Sequence, residues 1–249
     1  MGIGLGQAPW QRSQALLDLF LSRACPLCER ATPQVLCPTC VGQIRQSRLA
    51  TPLDSSHPGL PILSWGRYED TLRQIIRQLK YSGHPELAHW LGIELGQTWQ
   101  QYQRTTPPSP RPVVLLPIPL HPSKLKQRGF NQAERLAQGM KRIVPAPVVG
   151  EGLLRVQATQ AQHSLSREER QTNLAHAFQV NPRHLPTLRL KTVWLVDDIF
   201  TTGATAHAAA QILRHSGISV GGICTVARSG LSSPNPDQAD TVKSTQKNH

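Results

Sequence analysis

Long apolar segments are missing from this sequence of 249 residues. No apolar run approaches the ~20 residues that a membrane-spanning helix needs, so we expect no membrane span. The N-terminal patch from Leu16 to Leu21 is interrupted by Asp18 and is followed by no small-residue cleavage site, which does not match a secretory signal peptide. We therefore expect a cytoplasmic protein whose cysteines stay reduced.

Acidic residues are also scarce. The chain contains 15 Asp and Glu against 27 Lys and Arg, which gives a formal net charge of +12 and a pI of about 10.2. This balance favours polyanionic or phosphorylated partners, although basic proteins without such partners are common. The hydrophobic fraction of 39% and the charged fraction of 17% are ordinary for a globular protein and argue against a wholly disordered chain.

Cysteine is infrequent but concentrated. Four of the five cysteines lie in CPLCERATPQVLCPTC, residues 25–40, as two CxxC pairs. In a reducing compartment this pattern predicts a tetrahedral zinc site, and four protein ligands leave no open position, so the metal would be structural. The ligands would be Cys25, Cys28, Cys37 and Cys40. The alternative, unligated or redox-active thiols, lacks the βαβ pattern expected around a redox CxxC. Cys224 lies in an apolar run and is interpreted as a core residue.

The rest of the sequence alternates between helical and strand-like patterns. Residues 11–22 are typical of a short amphipathic helix, and residues 46–61, rich in Pro, Ser and Gly, are typical of a linker. Strands are predicted at residues 62–68, 113–119, 192–198 and 219–227, and helices at 69–83, 85–103, 131–143 and 204–217. Continuous apolar strands with intervening helices indicate an α/β fold, a parallel sheet with helices on both faces. In such sheets ligands bind beyond the carboxyl ends of the strands.

The segment VWLVDDIFTTGAT, residues 193–205, places two carboxylates and a threonine-rich loop at such an end. Backbone N–H groups and the positive end of the next helix dipole favour a phosphate at this loop, and Gly203 allows close approach. Carboxylates would repel a bare phosphate, so Asp197 and Asp198 need hydroxyl donors or a cation, and a sugar phosphate supplies the hydroxyls. Alternatively, the acids could form a metal site like the one that follows a strand in P-loop enzymes, but the chain contains no GxxxxGK[ST] sequence.

The same segment resembles the signature of type I phosphoribosyltransferases, which use 5-phosphoribosyl-1-pyrophosphate (PRPP) with magnesium. The paired CxxC motif and three further segments narrow the resemblance to the competence protein F (ComF) family. These segments are LKYSGHPELAHWLG, LLPIPLHPSKLKQRGFNQAERLA and RVQATQAQHSLSREERQTNLAHAF. The resemblance extends from Cys25 to Arg228. It implies a type I phosphoribosyltransferase-like sheet domain with a small N-terminal zinc ribbon module.

The resemblance also implies roles for individual residues. The ribose hydroxyls would be held by Asp197 and Asp198, and the 5′-phosphate by Thr201, Thr202, Gly203, Ala204 and Thr205. The pyrophosphate region would comprise Arg128, Gly129, Phe130, Asn131 and Gln132. A flexible hood would span residues 155–173, where Arg155, Arg167 and Arg170 could close over a polyphosphate.

Two of these assignments have ordinary alternatives. A basic insertion, HPSKLKQRGFNQ, stands where simpler phosphoribosyltransferases have a tight turn, and its Lys126 and Arg128 could be solvated surface residues. The hood sequence SREERQ is also compatible with an exposed helix in which opposite charges neighbour each other. The geometry of the pyrophosphate region therefore stays open from sequence.

These assignments divide the chain into three parts. They are an N-terminal helix with the zinc ribbon module (1–45), a phosphoribosyltransferase-like domain (60–230) and a polar tail (231–249) that is expected to be disordered.

Two functions follow from the resemblance. One is a transferase that moves the phosphoribosyl group of PRPP to an unidentified acceptor, with structural zinc and with magnesium entering together with PRPP. The other is a non-catalytic accessory protein in natural competence, DNA uptake or DNA processing. It would bind a phosphorylated ligand, single-stranded DNA or other competence or DNA-processing proteins. No nucleobase pocket is recognisable in the sequence, and phosphoribosyl transfer needs no conspicuous nucleophile.

Overall fold

The computed structural model of the protein describes residues 23–156 and 177–231. This part of the chain forms nine strands and seven helices. The strands are β1 (Arg23–Ala24), β2 (Ala31–Thr32), β3 (Leu53–Asp54), β4 (Ile62–Arg67), β5 (Val113–Pro117), β6 (Leu153–Arg155), β7 (Phe178–Val180), β8 (Thr192–Phe200) and β9 (Ser219–Arg228). The helices are α1 (Pro38–Gln46), α2 (Asp70–Tyr81), α3 (Pro85–Thr105), α4 (Pro122–Arg128), α5 (Gln132–Met140), α6 (Leu185–Arg189) and α7 (Ala204–His215).

Five strands form the central sheet in the order β3-β4-β9-β8-β5. Strands β4, β9, β8 and β5 are parallel, while the two-residue strand β3 pairs antiparallel to β4 at the edge. The carboxyl ends of the four parallel strands therefore meet at one edge, which we call the carboxyl edge. The opposite, amino edge is where β5, β8 and β9 begin.

Alternate residues of the buried strands face two separate layers. In β8, Trp194 and Val196 join a core with helices α1, α2, α3 and α5, whereas Val193 and Leu195 join a second core with α6, α7 and the β6–β7 ribbon. This alternation is the period of two that a strand imposes on its side chains. The predicted α/β fold with a parallel sheet and helices on both faces is confirmed, apart from the antiparallel edge strand.

Helices α3 and α5 cross at two glycines. A Cβ atom on Gly92 would collide with the Leu136 carbonyl oxygen and would lie 2.9 Å from the Cα atom of Gly139. A Cβ on Gly139 would in turn collide with the backbone carbonyl of His89. The absence of a side chain at both positions therefore allows the two helix backbones to touch, and this contact holds α5 beside the sheet.

The cysteine segment packs directly onto the sheet domain. Cys25, Cys37 and Cys40 share one buried cluster with Trp65 of β4 and Leu72 of α2. Two polar contacts tie the same segment to α3. Arg45 forms an ion pair with the buried Glu94 at 2.6 Å, and Arg48 donates a hydrogen bond to Gln101 at 3.0 Å. The stretch 46–61, predicted as a linker, also pairs with the sheet through β3.

The predicted helices and strands of the sheet domain agree with the observed ones within a few residues. Helices α1, α4 and α6 and the short strands were not predicted, and α4 lies inside the basic insertion. The predicted helix 11–22 and the polar tail from residue 232 lie outside the described residues. Within the described part, no helix combines the length and apolar character needed to cross a bilayer.

Candidate functional site at the carboxyl edge of the sheet

Asp197 and Asp198 lie within β8, which continues beyond them to Phe200. Because successive strand side chains point to opposite faces, the two carboxylates leave β8 in different directions. Asp198 is buried, while Asp197 is half-buried and its Oδ1 accepts a hydrogen bond of 2.8 Å from the backbone N–H of Asp198. The sequence prediction that both acids stand at the carboxyl end of this strand is therefore consistent with the structure, although the strand is two residues longer than expected.

Lys80 in the last turn of α2 neutralises Asp198. Its Nζ lies 2.9 Å from Asp198 Oδ2, and the two side chains are only 20% and 6% exposed. A buried ion pair of this kind is sensitive to the loss of either partner, because the remaining charge is then uncompensated. Sequence analysis did not place Lys80 in the site. The available signal was its position in the family segment LKYSGHPELAHWLG.

The second carboxyl group has an unusual proton affinity. Burial, together with the neighbouring charge of Asp198, raises the pKa of Asp197 to about 8, although the backbone N–H of Asp198 and the charge of Lys80 oppose this shift. At neutral pH Asp197 is therefore largely protonated unless a cation or a hydroxyl donor favours its ionised form. Perturbed carboxyl groups of this kind are frequent at functional sites.

The threonine loop turns sharply at Gly203, which has φ 75° and is the N-cap residue immediately before helix α7. A side chain there would be strained by this φ and would also collide with the ring of Phe200. Thr201 and Thr202 are exposed, and Asp197, the loop and the first turn of α7 surround a hollow of about 60 Å³. The predicted phosphate-loop residues Thr201, Thr202, Gly203, Ala204 and Thr205 all line it. One carboxyl group, the threonine hydroxyls and the N-terminal N–H groups of a helix thus line one small space. The first of these N–H groups, that of Ala204, donates to Thr202 Oγ1 at 3.5 Å.

The predicted pyrophosphate region follows helix α4. Arg128 ends this helix and donates a hydrogen bond to Gln132, which is buried. Gly129, with φ 81°, makes the left-handed turn after α4. Asn131 begins α5 by accepting a hydrogen bond from the N–H of Ala133, and it donates another to the Ile118 carbonyl directly after β5, each at 3.1 Å. Asn131 and Gln132 are therefore occupied in positioning the segment, while Phe130 packs partly buried against the core.

Tyr81 is the second residue that sequence analysis missed. It follows Lys80 directly, yet it is 78% exposed, and the Arg128 guanidinium lies 5.9 Å from its ring centroid. This cation–π contact joins α2 to α4. An exposed aromatic ring and an arginine therefore lie next to the Lys80–Asp198 pair. Arg128 and Asp198 of this group were predicted as site residues, whereas Lys80 and Tyr81 were not.

Of the three hood arginines, Arg155 is the only one among the described residues. It ends β6, its guanidinium lies 5.4 Å from the ring centroid of Phe178 in the paired strand β7, and Val156 and Ala177 continue the pairing at 2.9 Å. Burial lowers the pKa of Arg155, and the charge of Asp197 opposes this effect, so the two groups interact electrostatically. Arg167 and Arg170 lie outside the described residues.

The four predicted zinc ligands converge. The Sγ atoms of Cys25, Cys28, Cys37 and Cys40 all lie within 4.8 Å of one another. Sulfur atoms about 2.3 Å from a tetrahedral zinc ion are separated by roughly 3.8 Å, so this cluster fits one ion. Cys28 is exposed and the other three are buried.

The backbone favours the thiolate form of Cys25 and Cys37, whereas burial and the neighbouring cysteines raise the pKa of Cys40. Burial raises the pKa of Cys25, but N–H groups of Cys37, Leu27 and Cys28 outweigh burial and bring the pKa to about 6. The N–H of Cys40 similarly lowers the pKa of Cys37. Thiolate is the form that binds metal, so the donor set and its surroundings suit a structural zinc ion.

Comparison with known proteins identified relatives of this chain. No protein-family model matches the chain. The DNA utilization protein YhgH of Salmonella typhi is 32% identical over 208 residues, which cover 78% of this chain and 85% of that protein. Competence protein F of Haemophilus influenzae is 30% identical over 159 residues, 61% of this chain and 66% of that protein. Competence protein ComFC of Bacillus subtilis is 26% identical over 205 residues, 81% of this chain and 75% of that protein. The chain belongs to the ComF family.

Proposed function

We propose that this protein binds a ribose 5-phosphate group at the carboxyl edge of its sheet, with PRPP as the ligand. The main supporting observation is that Asp197 and the loop from Thr201 to Thr205 line one hollow at the N-terminus of α7. A phosphate accepts hydrogen bonds from the loop N–H groups and threonine hydroxyls. The ribose hydroxyls donate to the Asp197 carboxylate, which a bare phosphate would not do.

Cationic side chains at the carboxyl edge suit the pyrophosphate group of PRPP. Lys80 pairs with Asp198, and Arg155 interacts electrostatically with Asp197. A third cation, Arg128, lies over the ring of Tyr81, the residue that follows Lys80. Hydrated magnesium, which accompanies PRPP, would be attracted by the Asp197 carboxylate, and the cationic groups would face the pyrophosphate oxygens. The donor set therefore fits a magnesium-bound polyphosphate.

Titration calorimetry with PRPP and magnesium tests this proposal. The Asp197→Asn variant keeps the shape of the side chain but removes its charge, so affinity should fall by about 2 kcal/mol or more, roughly 30-fold. Asp70→Asn is the matched control, because Asp70 is an exposed acid at the start of α2. Equal affinities of the parent and Asp197→Asn would contradict the proposal.

Transfer of the phosphoribosyl group is the enzymatic form of this proposal. Departure of pyrophosphate leaves positive charge on the sugar, and positioned carboxylates stabilise it without a protein nucleophile. The exposed ring of Tyr81 beside Arg128 offers a planar surface for an aromatic acceptor. Release of pyrophosphate from PRPP over a panel of nucleobases tests the transferase. Binding of PRPP without turnover on any acceptor would favour a non-catalytic role.

A second function, contact with single-stranded DNA, is supported by helix α4 and by the relatives. Relatives of this chain are named DNA utilization protein and competence protein, and we propose that this chain also acts in DNA utilization or competence. Helix α4 has no buried residue, and its Lys124 and Lys126 are exposed beside the candidate site. Phosphate contacts of this kind bind without sequence preference and weaken steeply with salt.

Fluorescence anisotropy of a labelled oligonucleotide across a salt series tests the DNA contact. Micromolar affinity at moderate salt is expected, and Lys124→Glu with Lys126→Glu should weaken it without changing zinc content. Absence of binding at low salt would contradict direct contact. Other competence or DNA-processing proteins would then be the partners to test.

A further inference from the structure

The amino edge of the sheet contains a hollow that the proposed function does not use. Its volume is about 350 Å³, within the range of small-molecule pockets. Part of its wall is aromatic and consists of Trp99 and Tyr102 from the end of α3 and Trp194 from β8. The two indole rings are buried, and Tyr102 is half-buried. Their ring centroids lie 4.4 to 5.7 Å apart. Pro107 and Pro108, in the loop that follows α3, add apolar surface to the wall of this hollow.

A second hollow of about 550 Å³ adjoins the first and is cationic. Arg111 and Arg214 line it, and the two hollows share Ser109 and Thr192. The Ser109 hydroxyl donates to the Thr192 hydroxyl oxygen at 2.8 Å, so a pair of hydroxyls stands on the ridge between the aromatic and the cationic space.

The arginines of this edge are oriented but not neutralised. Arg111 donates to the Arg189 carbonyl at 3.2 Å, Arg189 donates to the Ser216 carbonyl at 2.9 Å, and Arg214 donates to the Gly59 carbonyl. Within the described residues none of the three forms an ion pair with a carboxylate. Their guanidinium groups are thus held in place by neutral acceptors while their charges remain available to an anion.

We propose that the amino edge is a second binding site, which takes a nucleoside phosphate, either free or as one unit of single-stranded DNA. The base enters the aromatic hollow, the hydroxyl ridge of Ser109 and Thr192 contacts the sugar, and the phosphate lies against Arg111 and Arg214. The half-buried ring of Tyr102 can stack on a base of any sequence, and arginine binds the accompanying phosphate.

The site is separate from the sugar-phosphate site. Thr192 begins β8 and Phe200 ends it, and a strand of that length spans roughly 26 Å. The proposal therefore does not depend on PRPP binding, and excess PRPP should leave the nucleotide in place. Displacement by PRPP would overturn the assignment to a separate site.

Photocrosslinking locates the ligand directly. We would irradiate the full chain with 5-iodo-dUMP and, separately, with an oligo(dT) that contains one 5-iodo-deoxyuridine, and map the modified peptide. Crosslinks on Trp99, Tyr102 or Trp194 are expected. Reaction with both probes identifies a free nucleotide site, and reaction with the oligonucleotide alone identifies a DNA site. Crosslinks confined to residues 78–83 or 121–132, or none with either probe, would overturn the proposal.

Affinity measurements provide the second test. Arg111 is exposed, and its guanidinium donates to a backbone carbonyl rather than to a carboxylate, so Arg111→Glu should fold normally. It should weaken binding of the probe that crosslinks about tenfold. Arg73→Glu is the matched control, since it makes the same charge change on an exposed residue of α2 and should leave affinity unchanged. Equal probe affinities of Arg111→Glu and the parent protein would overturn the proposal of a nucleotide site at the amino edge.

Discussion

Lys80 at the end of α2 and Asp198 in β8 form a buried ion pair with 2.9 Å between Nζ and Oδ2. The contact fixes the end of α2 beside the carboxyl edge and places Tyr81 against Arg128. It also leaves Asp197 as the half-buried carboxyl group that lines the phosphate-loop hollow. The two aspartates therefore have different tasks, because one is paired within the protein and the other faces the hollow.

Loss of Lys80 should destabilise the protein more than loss of the whole pair. Lys80→Met leaves Asp198 buried without its cation, and the free energy of unfolding should fall by about 3 kcal/mol. Adding Asp198→Asn removes the uncompensated charge and should restore part of that loss. Urea unfolding of the two single variants and the double variant measures the coupling. Additive losses would show that the pair contributes nothing.

Ligand binding at Asp197 should release a proton below about pH 8. The folded-state pKa of about 8 lies above the ordinary value near 4, so the protonated form stabilises the fold. That stabilisation is fully present below about pH 4 and is lost as the pH rises towards about 8. A ligand that requires the carboxylate therefore binds more tightly as the pH rises through this window.

Calorimetry of PRPP binding in buffers with different ionisation enthalpies measures the number of protons released on binding. At about pH 6.5 nearly one proton should be released, and at about pH 9.5 nearly none. Asp197→Asn should abolish the difference in proton release between these two pH values. Proton release that is the same at both pH values would disagree with the assignment to Asp197.

The cysteine cluster should bind one zinc ion per chain. Replacing Cys25 or Cys40 with Ser should abolish stoichiometric zinc in elemental analysis and lower the thermal midpoint, because these residues share a core with Trp65 and Leu72. The PRPP site should keep its affinity under conditions where the variant is folded. Cys224→Ala removes a buried thiol outside the cluster and should leave the zinc content at one. A fully folded, zinc-free parent protein would contradict the prediction.

The crossing of α3 and α5 should depend on glycine. Gly92→Ala forces its new methyl group into the Leu136 carbonyl and should destabilise the protein by roughly 1–3 kcal/mol, the range for an overpacked contact. Gly42→Ala is the control, because nothing lies within 4 Å of its Cβ position in α1, and it should stabilise the protein by about 0.5–1 kcal/mol. Thermal denaturation of both variants measures the difference.

Local patterns were sufficient for most of the sheet domain. The apolar runs of β4, β5, β8 and β9 and the helical periodicity of α2 and α3 predicted these elements closely, because burial on one or both faces leaves a repeat in the sequence itself. The zinc ligands were predictable for a similar reason, since each CxxC places two thiolates in one short turn. Helix α4 was missed because it has no buried face and therefore no apolar repeat.

The sequence by itself determined the alternation of strands and helices, the cysteine cluster and the position of the carboxylates next to the threonine loop. All of these depend on residues close together in the chain. Only the tertiary structure decided that Lys80 neutralises Asp198, that Tyr81 lies exposed beside Arg128, and that Trp99 and Trp194 meet at the amino edge. Each of these pairs joins segments far apart in sequence, and their meeting depends on how helices pack across the sheet, which no local periodicity encodes.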